Sequence, residues 1–305
     1  MMERLPKSLL AFCLGSLAAT VPLKTSAQTP TPRIEVLRLD GATAVLMPSE
    51  RSSNTIVWSG PEGIVIVDDM ADTLASELDA ALGVETVRRT RFVFNTHWHQ
   101  NHTGGNGLFT GHATVLAPTR LRKRLMEDQR LEFLVQQTFY RLPPAAWPNT
   151  TFDDSVTVHI NRAQVKAWHV RGHTDSDVII YLTGPNVLAL GDLYAPQGWI
   201  LPDLDTGGSV LGIVEALALA LTVAPDNAVV VPGHGAMSTM SEVRAYYEGL
   251  VASIAFVREA RGRGATLEQI QAMEPSGAAR RFLGSSPDRM VEAVYRSLNE
   301  AATKS

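Results

Sequence analysis

The chain has 305 residues and a formal net charge of −4, from 27 Lys and Arg against 31 Asp and Glu. That acidic balance argues against nucleic acid as the main partner, which would favour a basic face. A hydrophobic share of 45% over this length supports one large folded domain and excludes a disordered or fibrous chain.

Residues 1–27 have the pattern of a secretory signal peptide. "MMERLPK" is a cationic start, "SLLAFCLGSLAATVPL" an apolar stretch, and "TSA" a small-residue cleavage site before Gln28. The apolar stretch is short for a membrane span. There is no twin-arginine pair, and the bulky residue before Cys13 makes a poor lipidation signal. Cleavage after Ala27 removes three basic residues and one acidic one, leaving a mature chain, 28–305, of net charge −6. Cys13 is the one cysteine, so the mature chain carries no disulfide, thiolate nucleophile or cysteine metal ligand. The expected location is the periplasm or the exterior, with no stable membrane anchor.

Short β-branched runs follow: "IEVLRL" (34–39), "TAVLM" (43–47), "NTIVW" (54–58) and "GIVIVDD" (63–69). Separated by turn residues, they predict an antiparallel meander. "ADTLASELDAALG" (71–83) has helical spacing and stops at Gly83. "RFVFN" (91–95) and "ATVLA" (113–117) are buried strands, followed by a helical segment over 118–139 and a break at "LPPAAWPNTTF". The basic cluster "RLRKR" (120–124) reads as a solvated helix face.

The second half repeats the plan. Strands are expected at 155–160, 164–170, 177–182 and 186–190, a helix at 208–223, a strand at 228–235 and helices from 240 onward, broken around "GRGATLEQI". Strands then helix, twice over, predict two sheets packed face to face with helices outside. No internal repeat or linker divides the chain, so 28–305 is read as one domain with a helical part at 240–305.

Eight histidines are present. "FNTHWHQNHTGG" (94–105) places His97, His99 and His102 in one turn, while "GHT" carries His173, "PGHG" His234 and "GDLY" Asp192. These five histidines and one aspartate all sit in strand-end turns. Imidazole and carboxylate suit zinc and iron, and the flanking glycines let the backbone bend the rings inward. His112 and His159 read as structural, and His169 as packing or as support behind a ligand.

The ordered set "VDD", "THWHQNHTGGN", "GHTDSD", "GDLY" and "PGHG" resembles the metallo-β-lactamase-fold hydrolase superfamily over about 34–235. "GATLEQI" and "MVEAVYRSL" resemble a secreted branch of it more than the antibiotic-degrading enzymes. The resemblance implies an α+β fold, a four-layer αβ/βα sandwich of two mixed sheets with outer helices and metals at the sheet edge. It also implies a first metal on His97, His99 and His173, and a second on His102, Asp192 and His234. Asp192 would bridge the two, as in the glyoxalase II-like branch, and Asp68 would orient a ligand from behind.

One residue departs from the pattern. Asn101 stands where the family carries an aspartate ligand of the second metal. Its amide oxygen can coordinate but is neutral, which leaves the centre with one more uncompensated positive charge. The expectation is one tight zinc and a weaker second one.

The activity implied is hydrolysis, with a metal-bound hydroxide attacking the carbonyl of a small ester, lactone, thioester or β-lactam, and with Asp192 or Asn101 orienting the water if only one metal is held. The alternatives are a mononuclear iron oxygenase of the same fold and a non-catalytic metal-binding protein. The expected partner is a small-molecule substrate; oligomeric state is not legible. The segment 118–148, with Phe133, Phe139, Tyr140 and Trp147, is a candidate cap over the site. Trp98, Tyr194 and Trp199 are candidate substrate contacts.

Overall fold

The computed structural model describes residues 34–49, 52–284 and 287–304. The signal-peptide reading of 1–27 lies outside them. Among the described residues no helix is long and apolar enough to cross a membrane.

The N-terminal half begins with β1 (Ile34–Arg38), β2 (Thr43–Pro48), β3 (Thr55–Gly60) and β4 (Gly63–Val67), paired antiparallel in sequence order. Helices α1 (Ala75–Leu82) and α2 (Val84–Arg89) lead to β5 (Thr90–Phe94), and β6 (Thr114–Pro118) follows the histidine turn with its short helix α3 (Gln100–Thr103). β5 and β6 add parallel to β4. β4, "GIVIV", is buried at every position, the signature of a central strand covered on both faces.

The segment expected to be helical over 118–139 is not one helix. α4 covers Thr119–Met126 only, and β7 (Gln129–Leu131) and β8 (Gln137–Phe139) then form a small hairpin. Gln129 and Leu131 are buried while Arg130 is exposed, so the run obeys a period of two, not 3.6. The presumed break also holds an unexpected strand, β9 (Thr150–Phe152), which closes the first sheet parallel to β6.

The second sheet comprises β10 (Ser155–Ile160), β11 (Ala163–Val170), β12 (Asp177–Leu182), β13 (Val187–Gly191), β14 (Val229–Pro232) and β15 (Ser238–Thr239), in that spatial order. Its pairs are antiparallel except β13 with β14. Outside it lie α5 (Val210–Val223), begun by a Ser209 cap, and α6 (Met240–Gly262), begun by a Thr239–Glu242 capping box. α7 (Leu267–Gln271), α8 (Gly277–Leu283) and α9 (Asp288–Lys304) complete that layer.

Three apolar cores stack through the molecule. Ile56, Val65 and Phe94 of the first sheet meet Val165, Ile180 and Val231 of the second. Leu78 of α1 packs on the outer face of the first sheet with Ile66 and Val115. Leu217 of α5, Leu250 of α6 and Val294 of α9 cover the outer face of the second, around Ile179 and Leu188. At about 1.5–3 kcal/mol for each large aliphatic side chain removed from water, this burial drives the α+β, four-layer αβ/βα arrangement.

The strand directions gather the turns of interest at one edge. β4 and β5 run parallel, and so do β13 and β14; β11, two antiparallel steps from β13, points the same way. Asp68, His97, His173, Asp192 and His234 all follow the C-terminal ends of these five strands.

Candidate metal centre

The missing side chains of two glycines let the turns close on each other. Gly191 has φ +50°, and a Cβ there would meet Thr96 Oγ1 at 2.5 Å; one on Gly233 would meet Asp192 Oδ1 at 2.1 Å. Side chains larger than hydrogen would push the Asp192 and His234 turns off the histidine turn. Two backbone bonds join the sheets at this edge: Val178 N–H donates to Thr96 O (2.7 Å) and Asn54 N–H to Gly233 O (2.7 Å).

Three imidazoles converge first. His97 Nε2 and His173 Nε2 lie 3.0 and 3.1 Å from His99 Nδ1. The opposite nitrogen of each ring faces an oxygen. His173 Nδ1–H donates to Leu201 O (2.8 Å), His99 Nε2 lies 3.3 Å from Asp203 Oδ2, and His97 Nδ1 lies 3.3 Å from Thr96 Oγ1, whose own proton goes to Asp68 Oδ2. Those oxygens fix the tautomers, so three nitrogen lone pairs point at one another in a largely buried space. Facing lone pairs at about 3 Å repel unless a cation lies between them. The donor set therefore fits a divalent metal.

A second group adjoins it. His102 Nε2 and His234 Nε2 are 3.3 Å apart, and Asp192 Oδ1 lies 3.6 and 3.4 Å from them. Asp192 Oδ1 is buried without a hydrogen bond of good geometry, and Oδ2 lies 3.8 Å from His173 Nε2. The carboxylate thus stands between the two groups, and His97 also falls within 4.8 Å of His102 and Asp192. Behind His102, Asp68 Oδ2 takes the Nδ1 proton at 2.8 Å, while Asp68 Oδ1 accepts Thr96 N–H at 2.7 Å. Asp68 holds this post from φ 56°, a left-handed conformation uncommon for a non-glycine residue. Behind His234, Nδ1–H donates to Ser52 O at 2.9 Å. Asn101 is in the group too, with its amide Nδ2 3.2 Å from His234 Nε2.

The electrostatics separate the two groups. Burial and the neighbouring His102 and His99 rings hold His97 well below the usual histidine range, and burial with His99 pushes His173 down to about 4. Burial alone would raise the Asp192 carboxyl, but the His234 and His102 rings outweigh it and hold the group well below the carboxylate range. Burial likewise opposes the charge on His234, yet Asp192 beside it raises that ring to about 8.

The other expected residues fall elsewhere. His169 bonds to the carbonyls of Asp153 (2.6 Å) and Asp175 (3.0 Å), a strand-to-turn tie outside the centre. Trp98 and Tyr194 are not available to substrate: Trp98 is 1% exposed against Leu121 and Leu125, and Tyr194 is 3% exposed with its hydroxyl on Ser238. Trp199 is half-buried, its Nε1–H donating to Leu283 O. Within the 118–148 segment, Phe139 and Trp147 pack on α4, Phe133 packs on the α5–α6–α9 core, and only Tyr140 stands well exposed. Its carbonyl accepts from Gln100 Nε2 at 2.5 Å, so the segment does border the histidine turn. A cavity of about 400 Å³ between α6, α8 and the 194–198 turn holds none of the centre's residues.

Two contributors escaped sequence reasoning. Asp203 was one aspartate among many in "LPDLDTGG"; only folding reveals it as the N-cap of a short turn aimed at His99. Arg124, assigned to a solvated face, instead donates to both Asp175 oxygens (3.3 and 2.9 Å) and to Thr206 O (3.0 Å). It ties α4 to the turns that carry His173 and Asp203.

Known proteins share this architecture. No curated protein matches the chain. A metallo-beta-lactamase from Pontibacter korlensis superposes with a TM-score of 0.57 and 18% identity, covering 72% of this chain and 99% of that one. The stereoselective inverting sec-alkylsulfatase Pisa1 from Pseudomonas sp. superposes with a TM-score of 0.63 and 15% identity over 86% of this chain. A double mutant of that sec-alkylsulfatase gives 0.65 at the same identity and coverage. This chain spans about half the length of the alkylsulfatase chains. At such identities the likeness is one of fold. The family model of the metallo-beta-lactamase superfamily matches residues 52–234, a span that holds every side chain of the centre from Asp68 to His234, and the chain belongs to that superfamily.

Proposed function

We propose that the protein is a metal-dependent hydrolase acting on the carbonyl of a small ester, lactone, thioester or β-lactam. The observation that carries this reading is the convergence of three imidazoles beside a carboxylate whose buried oxygen faces two more imidazoles. His97, His99 and His173 would hold the ion, and neutral imidazole donors suit zinc, with iron also possible. A bound divalent ion supplies Lewis acidity and a nucleophile at neutral pH.

The chain's own residues do the rest. Asp192 keeps a charged carboxylate between the two groups, where Oδ2 can orient a water. His234, with its side chain 34% exposed, and Asn101 line the open side, where a substrate oxygen would meet them. No cysteine nucleophile competes in the described region. A secretory leader would place this activity in the periplasm or outside the cell, with the mature chain beginning at Gln28; intact mass of exported protein tests that cleavage.

The deciding experiment joins metal analysis to a hydrolysis screen over β-lactams, lactones, esters and thioesters. Turnover that is lost on chelation and restored by zinc supports the reading. Tightly bound iron with oxygen-dependent turnover would instead indicate the oxygenase, and stoichiometric zinc without turnover on any member a binding protein.

A further inference from the structure

We propose that the centre is built to hold one divalent ion tightly, on His97, His99 and His173, and that Asn101 keeps the adjoining locus of His102, Asp192 and His234 a weak one. The inference rests on the metal-centre reading and not on any substrate.

The two loci differ in what already satisfies them. At the three-histidine locus every nitrogen pointing inward is a lone pair, because each ring spends its proton on an oxygen behind it. Among the described residues none supplies a donor to that space, so a cation removes a standing repulsion there. The adjoining locus already holds a neutral polar group. His234 gives its Nδ1 proton to Ser52 O, and the Asn101 amide nitrogen lies 3.2 Å from that ring's Nε2. An ion entering here must displace the amide or turn it to use its oxygen.

Asn101 is not free to move aside. Its backbone carbonyl accepts from Ser53 N–H at 3.0 Å and from Ser52 Oγ at 3.4 Å, so its main chain is held beside the locus by the loop that also orients His234. The charge count points the same way. Asp192 is the one carboxylate within the second locus, and it stands between both loci, with Oδ2 3.8 Å from His173 Nε2. Asp192 is the one carboxylate placed to touch either ion, since Asp68 and Asp203 lie behind the His102 and His99 rings, and poorly compensated charge in a largely buried site is expensive.

The test uses the full chain and zinc ion alone. Metal-free protein is titrated with zinc against a chromogenic chelator, and stoichiometry is read in parallel by native mass spectrometry. Wild type is expected to take one equivalent tightly and a second only with excess zinc. Asn101→Asp should tighten the second equivalent by about 10–100-fold, the range for a change in ligand support, while leaving the first unchanged. Asn101→Ala removes the amide without adding charge and should tighten the second equivalent by much less than Asn101→Asp does. The unchanged first equivalent certifies that each variant is folded. Two equally tight equivalents in wild type, no change in Asn101→Asp, or equal tightening in Asn101→Ala would each overturn the proposal. Because no substrate is involved, these outcomes are independent of whether the hydrolase reading stands.

Discussion

Asp203 Oδ2 sits 3.3 Å behind His99 Nε2, on the side of the ring away from the nitrogen that faces His97 and His173. The aspartate is fully buried, and its position is set by Thr206, whose hydroxyl donates to Oδ2 at 2.5 Å and whose N–H donates to Oδ1 at 3.2 Å. The carboxylate selects the tautomer that turns the His99 Nδ1 lone pair toward the candidate ion.

Asp203→Asn should therefore weaken the tight zinc equivalent by about 10–100-fold, as expected for loss of a partner that orients a ligand. The amide has nearly the same size, so the short turn should survive. Chelator competition measures the loss; unchanged affinity with a native circular dichroism spectrum would mean that Asp203 is only a turn cap.

His99→Ala should remove both the tight equivalent and all metal-dependent turnover. His99 Nδ1 is the atom that both His97 Nε2 and His173 Nε2 approach within 3.1 Å, and two remaining imidazoles do not complete a site. Zinc content after dialysis and activity on any substrate found in the screen are the two readouts. Retention of both would move the centre elsewhere.

Acid should separate the loci. With His173 near 4 and His97 well below its usual range, those two ligands of the first locus take up protons only when the pH is distinctly acidic. His234 near 8 means that a second ion must displace a proton at any pH below that value. The second equivalent should weaken steadily from pH 8 to 6 while the first holds. In the metal-free protein the depressed His173 gives the same sign for stability. Between 6.5 and about 4 the unfolded chain binds a proton that the folded one refuses, so stability falls as the pH is lowered through that window. Zinc titrations at three pH values and thermal melts of the metal-free protein check the two halves.

Arg124→Ala should destabilise the fold by about 2 kcal/mol, the scale of losing charged hydrogen bonds at a partly buried site. Asp175 would keep only the 3.5 Å contact with the exposed Arg120, and Thr206 O would lose a donor. The change should also loosen the turns of His173 and Asp203, so the tight zinc equivalent should weaken with it. Urea unfolding with and without zinc reads both; a loss under 1 kcal/mol would return the "RLRKR" stretch to the role of a solvated face.

Chemistry-bearing residue types and their order along the chain were legible in the sequence, because short motifs such as "HWHQNH" and "PGHG" put histidine and glycine in fixed local relation at the ends of recognisable strands. Burial pattern sufficed for most strands as well, since runs such as "GIVIV" and "DVIIYL" can only be central. Where the local signal was weak, tertiary structure decided. The run 127–139 has apolar residues compatible with either period, and only its pairing as a hairpin fixed the choice. Trp98 and Tyr194 lie beside ligand motifs in sequence, yet the facing of their strand-end turns sends both rings into cores. Asp203 and Arg124 act across separations of 104 and 51 residues, and no local pattern encodes a hydrogen bond made at that distance. The residue that most sharply marks this chain, Asn101, could be seen in the sequence as a missing charge. That its amide stands 3.2 Å from His234 Nε2, inside the second locus, is decided only once the β5 and β14 turns have been brought to the same sheet edge.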